Sequence, residues 1–250
     1  MKFPPEENHK NLIFNILCFH ASYAGYIRNY NRPFMERRRW VLYLHEILNS
    51  LTHGIGVLLS IAGLVLLVVF ASTREPDAWK IVSFSVYGFS LIMMYTASTL
   101  YHAFRDKRTK HFLNLFDHAS IYVLIAGTYT PFTLVSLRGP WGWSIFGVIW
   151  GLAVAGVIFK LFFYSDKYRL ISAIIYVAMG WIILIALGPL IKSVPAGGLY
   201  WLLAGGISYS AGVYFYIKRQ NRFNHVIWHL FVLAGSICHF FAIFYHVLPA

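Results

Sequence analysis

The chain has 250 residues, of which 58% are hydrophobic, 18% aromatic and only 12% charged, and its formal charge is +12. Soluble domains carry about 25% charged residues, so this composition excludes an ordinary soluble domain and points to a polytopic membrane protein. The bases cluster between apolar runs and no phosphate-binding or base-reading motif is visible, so the positive charge indicates membrane orientation rather than nucleic-acid binding.

Residues 1–40 stand apart from the rest as an N-terminal extension ahead of a membrane domain spanning 41–250. The stretch Asn11–Asn31 is aromatic and moderately apolar, but it contains His20, Arg28 and Asn29. It lacks the compact apolar core and small-residue cleavage site of a signal peptide. Two readings stay open: an interfacial amphipathic helix, or sequence upstream of a true start at Met35. The two cysteines, Cys18 and Cys238, suggest neither a disulfide framework nor a thiolate site.

Seven apolar stretches follow, at about 47–70, 80–103, 114–135, 141–163, 170–190, 197–217 and 225–247. Each is long enough to cross about 30 Å of hydrocarbon at roughly 1.5 Å per residue. The connections are too short for a second domain, so the expected fold is an all-α bundle of seven transmembrane helices in the cell (inner) membrane. Seventeen of the 21 bases fall on one side of that bundle. They are Lys2, Lys10 and Arg28–Arg39, the group Arg105–Lys110, then Lys160, Lys167 and Arg169, and finally Lys218, Arg219 and Arg222. Only Arg74, Lys80, Arg138 and Lys192 fall on the other. This asymmetry predicts a cytoplasmic N-terminus and an outside C-terminus. Trp40, Trp79, Trp141, Trp143 and Tyr200 fit an aromatic belt at the segment ends.

Against this background a few polar residues are costly and need a partner or a task. His102 ends the second segment, three residues before Arg105, and Ser98 lies one turn deeper on the same face. Asp117 is expected about one turn into the third segment. His225 opens the seventh, and His229 lies one turn deeper. All of these fall within roughly 10 Å of one membrane surface by helical rise. His225-Val-Ile-Trp-His229 is an HxxxH pair, and on a helix its imidazoles point the same way and can grip one ion. With His102 as third ligand, a zinc ion keeps one position for water, the catalytic pattern, and lowers that water's pKa to about 7. Asp117 is then a candidate for orienting the water, acting as general base or supporting a ligand, and Ser98 for bonding the water or a substrate oxygen.

The plainer alternatives are open at this point. A lone HxxxH is a weak signal, and buried histidines often bond a neighbouring helix. Asp117 can pair with Lys110 or Arg108, and Ser98 can bond its own backbone. Glu46, Asn49, Ser50 and His53 form one polar stripe on the first helix, read as interhelical contacts or as support for the same cavity. His118 is expected to meet the headgroup region. His239, about 15 Å deeper than His229, is too far to share the ion and is expected to bond a neighbouring helix.

The motifs Ser98-x-x-x-His102, Leu-Phe-Asp117-His-Ala-Ser-Ile-Tyr and His225-x-x-x-His229 together resemble the signature of the hemolysin III-type proteins, the bacterial branch of the progestin and adipoQ receptor superfamily. His45-Glu-Ile-Leu-Asn-Ser-Leu-Thr-His53-Gly-Ile-Gly, Ala126-Gly-Thr-Tyr-Thr-Pro-Phe and Ala178-Met-Gly-Trp add to the resemblance, which runs from about Leu44 to the C-terminus. It implies a seven-helix fold, a zinc held by His102, His225 and His229, and Asp117 and Ser98 beside the metal-bound water. It also implies a ceramidase-like hydrolysis of a membrane lipid amide. The long regulatory tails of the eukaryotic receptors are missing. A pore-forming, cytolytic role and a sensor of membrane state with a structural zinc are the competing expectations.

Overall fold

The computed structural model describes residues 7–74, 76–163, 166–218, 221 and 223–249, with side chains from Trp40 onward except that of Asp166. The side chains of Cys18, His20, Met35 and Arg28–Arg39 lie outside the described residues, as do Lys2, Arg219 and Arg222. The chain divides into two units, Met1–Leu44 and His45–Ala250. The first is helical from Glu7, where α1 (Glu7–Thr73) begins.

Every regular element among the described residues of the second unit is a helix. After α1 come α2 (Ala78–Ala103), α3 (Lys107–Pro131), α4 (Pro140–Phe162), α5 (Arg169–Trp181), α6 (Leu187–Ser193), α7 (Ala196–Ile217) and α8 (Asn224–His246). Among the described residues, six stretches are long and apolar enough to cross a membrane: Trp40–Thr73, Ala78–Ala103, Lys107–Ser136, Pro140–Phe162, Arg169–Ser193 and Asn224–His246. The remaining stretch, α7, carries five glycines, four tyrosines and two serines, which dilute its apolar content. Large apolar side chains point outward, with Phe162 77% and Ile185 73% exposed, as a lipid-facing surface requires.

Two helices depart from ideal geometry, each where a sequence motif sits. Pro131 has no N–H to donate and ends α3, which continues as a wider π-helical turn, Phe132–Ser136. Thr130 and Thr133 hydroxyls donate back to the Ala126 and Tyr129 carbonyls and keep that backbone satisfied. Between α5 and α6 the chain tightens into a 3-10 turn, Ile182–Ala186. Here the Tyr129 hydroxyl fills the break. It lies 2.9 Å from the Met179 carbonyl and 2.8 Å from that of Gly180, and it accepts from the Ile183 N–H at 3.0 Å.

α3 starts at Lys107, well before the apolar run at 114, because Asp106 caps it. The Asp106 carboxylate accepts from the Thr109 N–H at 2.9 Å, which holds its carboxyl below the usual range. Asp117 therefore lies nearly three turns into α3 rather than one.

α7 packs along α8, α2 along α3, and α3 along α4. Glycines permit the close approaches. A Cβ on Gly156 of α4 would stand 2.4 Å from the Tyr122 ring, and one on Gly127 of α3 would stand 2.2 Å from Ser90 Oγ. Without a hydrophobic force between helices in lipid, such small-residue contacts supply much of the packing.

Candidate metal centre

The end of α2 and the first turns of α8 build the site. His225 and His229 are one turn apart on α8, so their rings share a face, and their Nε2 atoms are 3.1 Å apart. His102, four residues after Ser98 on α2, completes a cluster. One ligand atom from each of the three imidazoles lies within 4.8 Å of the others. Among the described residues this is the one group of histidine, cysteine and carboxylate side chains so arranged.

Hydrogen bonds from α1 fix how two of these rings present themselves. His102 Nδ1–H donates to Glu46 Oε2 at 2.7 Å, and the opposite nitrogen, Nε2, is buried with no hydrogen-bond partner. His229 Nδ1–H donates to the Asn49 carbonyl at 3.3 Å, leaving Nε2 to face His225. In both cases the proton sits on Nδ1 and the lone pair on Nε2, the tautomer a ligand needs. Neighbouring ligand nitrogens about 2.0 Å from a tetrahedral ion stand roughly 3.3 Å apart, and the His225–His229 separation is close to that. The donor set, with its unpartnered His102 Nε2, therefore fits a divalent transition metal.

Glu46 does more than the sequence reveals. Its second oxygen accepts from Lys110 Nζ at 2.7 Å, so α1, α2 and α3 are tied through one carboxylate. Lys110 is thus the partner of Glu46, not of Asp117. The stripe on α1 divides its work. Ser50 Oγ donates to the Thr99 carbonyl at 3.3 Å, Asn49 offers its carbonyl to His229, and His53 stacks on His229 with ring centroids 3.6 Å apart. Both readings of the stripe apply: it makes interhelical contacts and it supports the cluster.

Asp117, Ser98, His225 and His229 line a common cavity between the helices. Asp117 is 8% exposed and neighbours Ser98 across α2 and α3. The Ser98 hydroxyl is buried and makes no hydrogen bond of ordinary length, so it is not spent on its own backbone. His118, expected at the headgroups, is half-buried and lines the cavity too, with Nδ1 2.9 Å from the Asn114 carbonyl. His239 makes the expected interhelical bond, to the Leu202 carbonyl at 3.3 Å, and also lines the cavity. Sequence reasoning named Lys110 but not its pairing with Glu46, and it missed Tyr176, whose hydroxyl donates to the His118 carbonyl at 2.9 Å. Nothing in the spacing of either residue signals a site.

The chain is similar to known proteins over most of its length. A model of the family described as "Haemolysin-III related" matches residues 42–240. The chain is 46% identical over 204 residues to "Hemolysin-3" of Bacillus cereus, covering 82% of this chain and 92% of that protein. It is 47% identical over 201 residues to "Hemolysin-3 homolog" of Bacillus subtilis (strain 168), covering 80% and 93%. A more distant likeness, 29% identity over 222 residues, extends to the human "Monocyte to macrophage differentiation factor", covering 86% and 89%, and supports the wider progestin and adipoQ receptor superfamily. With three histidines from two helices brought together inside the matched region or at its core motifs, this chain belongs to the haemolysin-III-related family.

Proposed function

We propose that the protein is a zinc-dependent hydrolase of a membrane lipid amide, with His102, His225 and His229 holding the ion. The observation that carries this reading is the buried, unpartnered Nε2 of His102 beside the His225–His229 pair, which lines a cavity together with Asp117 and Ser98. Zinc, when bound, supplies Lewis acidity toward a carbonyl oxygen and toward water. Asp117 takes a proton from the water that attacks the amide carbonyl and delivers it to the amine as the C–N bond breaks. Ser98 donates its hydroxyl hydrogen to the substrate carbonyl oxygen. Glu46 keeps the His102 proton on Nδ1.

We also infer seven crossings, with the N-terminus cytoplasmic and the C-terminus outside. The cluster supports the count. α3, α4 and α5–α6 are three crossings after His102, which leave the chain on the opposite side. His225 nevertheless meets His102, so α7 returns the chain across the bilayer. The bases at 105–110 and 218–222 support the orientation, and the bilayer in question is the cell (inner) membrane.

Metal analysis and a lipid-amide assay test the reading together. The wild type is expected to purify with about one zinc per chain, and His225→Ala to lose it. Asp117→Asn keeps the metal and loses hydrolysis by about 10²–10⁴-fold. Full zinc occupancy with no turnover of any lipid amide overturns the hydrolase and leaves the ion a structural tie between α2 and α8. The relatives' printed name favours a lytic pore, but the cavity's lining is mostly apolar. Dye release from liposomes that survives His102→Ala would support a pore instead.

A further inference from the structure

The cavity runs on past the histidine cluster, and its far part holds a polar group that hydrolysis does not use. His239 lines it, with Tyr209 and Trp181 nearby. It lies ten residues beyond His229 on α8, about 15 Å along the axis. Its ring is held in place. Gly205 of α7 leaves the space it fills, since a Cβ there would stand 2.2 Å from His239 Cδ2. Nε2 lies 3.3 Å from the Leu202 carbonyl. A carbonyl can only accept, so Nε2 carries the proton, and the neutral ring keeps its acceptor lone pair on Nδ1. That Nδ1 is buried and has no hydrogen-bond partner.

The other polar groups lining this depth are already engaged. Thr128 donates to the Leu124 carbonyl. The Tyr129 hydroxyl serves the α5–α6 break. Ser210 donates to the Gly206 carbonyl and accepts from Trp181 Nε1. Tyr209 bonds Ser236, which also accepts from Tyr95. His239 Nδ1 is left over, an acceptor without a donor in a region where bulk water cannot serve it.

We propose that His239 Nδ1 is a second anchor for the cavity's ligand, accepting a hydrogen bond from a hydroxyl carried on the lipid chain about 15 Å from the group at the histidine cluster. The inference rests on the reading of the cavity as the seat of a lipid substrate, and it narrows that substrate to hydroxylated chains. A carboxylate or ester oxygen at this depth only accepts and cannot satisfy Nδ1, whereas a chain hydroxyl can.

Competition binding in nanodiscs tests it without turnover. The purified full-length protein is offered equal amounts of stearic acid and 12-hydroxystearic acid, and the bound masses are read by native mass spectrometry. The wild type is expected to retain the hydroxylated chain by roughly tenfold. His239→Phe brings the ratio to one while stearate uptake is unchanged, and His239→Asn, which keeps an acceptor near the Nδ1 position, restores part of the preference. The readout is binding rather than turnover, so a failure of the hydrolase reading does not mask this one. A wild-type ratio of one, as a bridging water would give, overturns the proposal. So does a preference that survives His239→Phe. If neither fatty acid is retained, the lipid reading of the cavity falls with it.

Discussion

The bond between Glu46 and His102 offers the sharpest test of the metal centre. Removing a hydrogen-bonded carboxylate behind a ligating histidine weakens metal affinity by about 10–100-fold, or roughly 1.4–2.7 kcal/mol. Here the histidine side chain is only 4% exposed, so no water readily replaces the carboxylate at Nδ1. The Glu46 side chain itself is 38% exposed and that of Lys110 27%, so their ion pair contributes little, about 0–1 kcal/mol. Glu46→Ala is therefore expected to weaken zinc binding near the upper end of the range. Glu46→Gln, whose amide oxygen still accepts from Nδ1, falls near the lower end. Lys110→Met changes affinity by less than about threefold. Competition with a chromophoric chelator in detergent measures all three. Wild-type affinity in Glu46→Ala, alongside lost affinity in His225→Ala, would refute the orienting role and reduce Glu46 to a clamp between helices.

Two further perturbations probe the scaffold. At Gly142, a Cβ would stand 2.1 Å from the Thr133 carbonyl oxygen and 2.5 Å from that of Leu137, both rigid backbone, whereas at Gly147 on the same helix nothing lies within 4 Å. Gly142→Ala is expected to cost about 1–3 kcal/mol and Gly147→Ala to gain about 0.5–1 kcal/mol, read as opposite shifts in Tm; equal shifts would refute the packing argument. Tyr129→Phe removes the hydroxyl that closes the α5–α6 break and strands the Ile183 N–H, costing about 1–3 kcal/mol. A Tm equal to wild type would show that the break is satisfied by other means.

Much of the candidate site was legible because membrane burial makes polar residues conspicuous. His102, His225 and His229 stood out against apolar sequence, and helical spacing alone put two of them on one face. Their convergence in depth followed from counting residues from the flanking bases. The start of α3 was placed too late, because the basic residues 107–111 interrupt the apolar run but not the helix. Asp106 caps α3 ahead of them. The motif ending in Pro131-Phe was noted without the break it causes, and the break at 182–186, just past Ala178-Met-Gly-Trp, was not legible because the group that fills it, the Tyr129 hydroxyl, comes from a distant segment.

The sequence by itself determined an all-helical membrane protein, the family and the trio of histidines, because these depend on composition, on a 3.6-residue period and on motif order. Only the tertiary structure decided which nitrogen is free on two of those rings, His102 and His229. That choice is made by a carboxylate 56 positions away and a backbone carbonyl 180 positions away. It also decided that Glu46 answers to Lys110, and that His239 faces the same cavity as the metal centre. These facts depend on how helices rotate against one another, and rotation is set by the summed fit of many side chains rather than by any local run of residues.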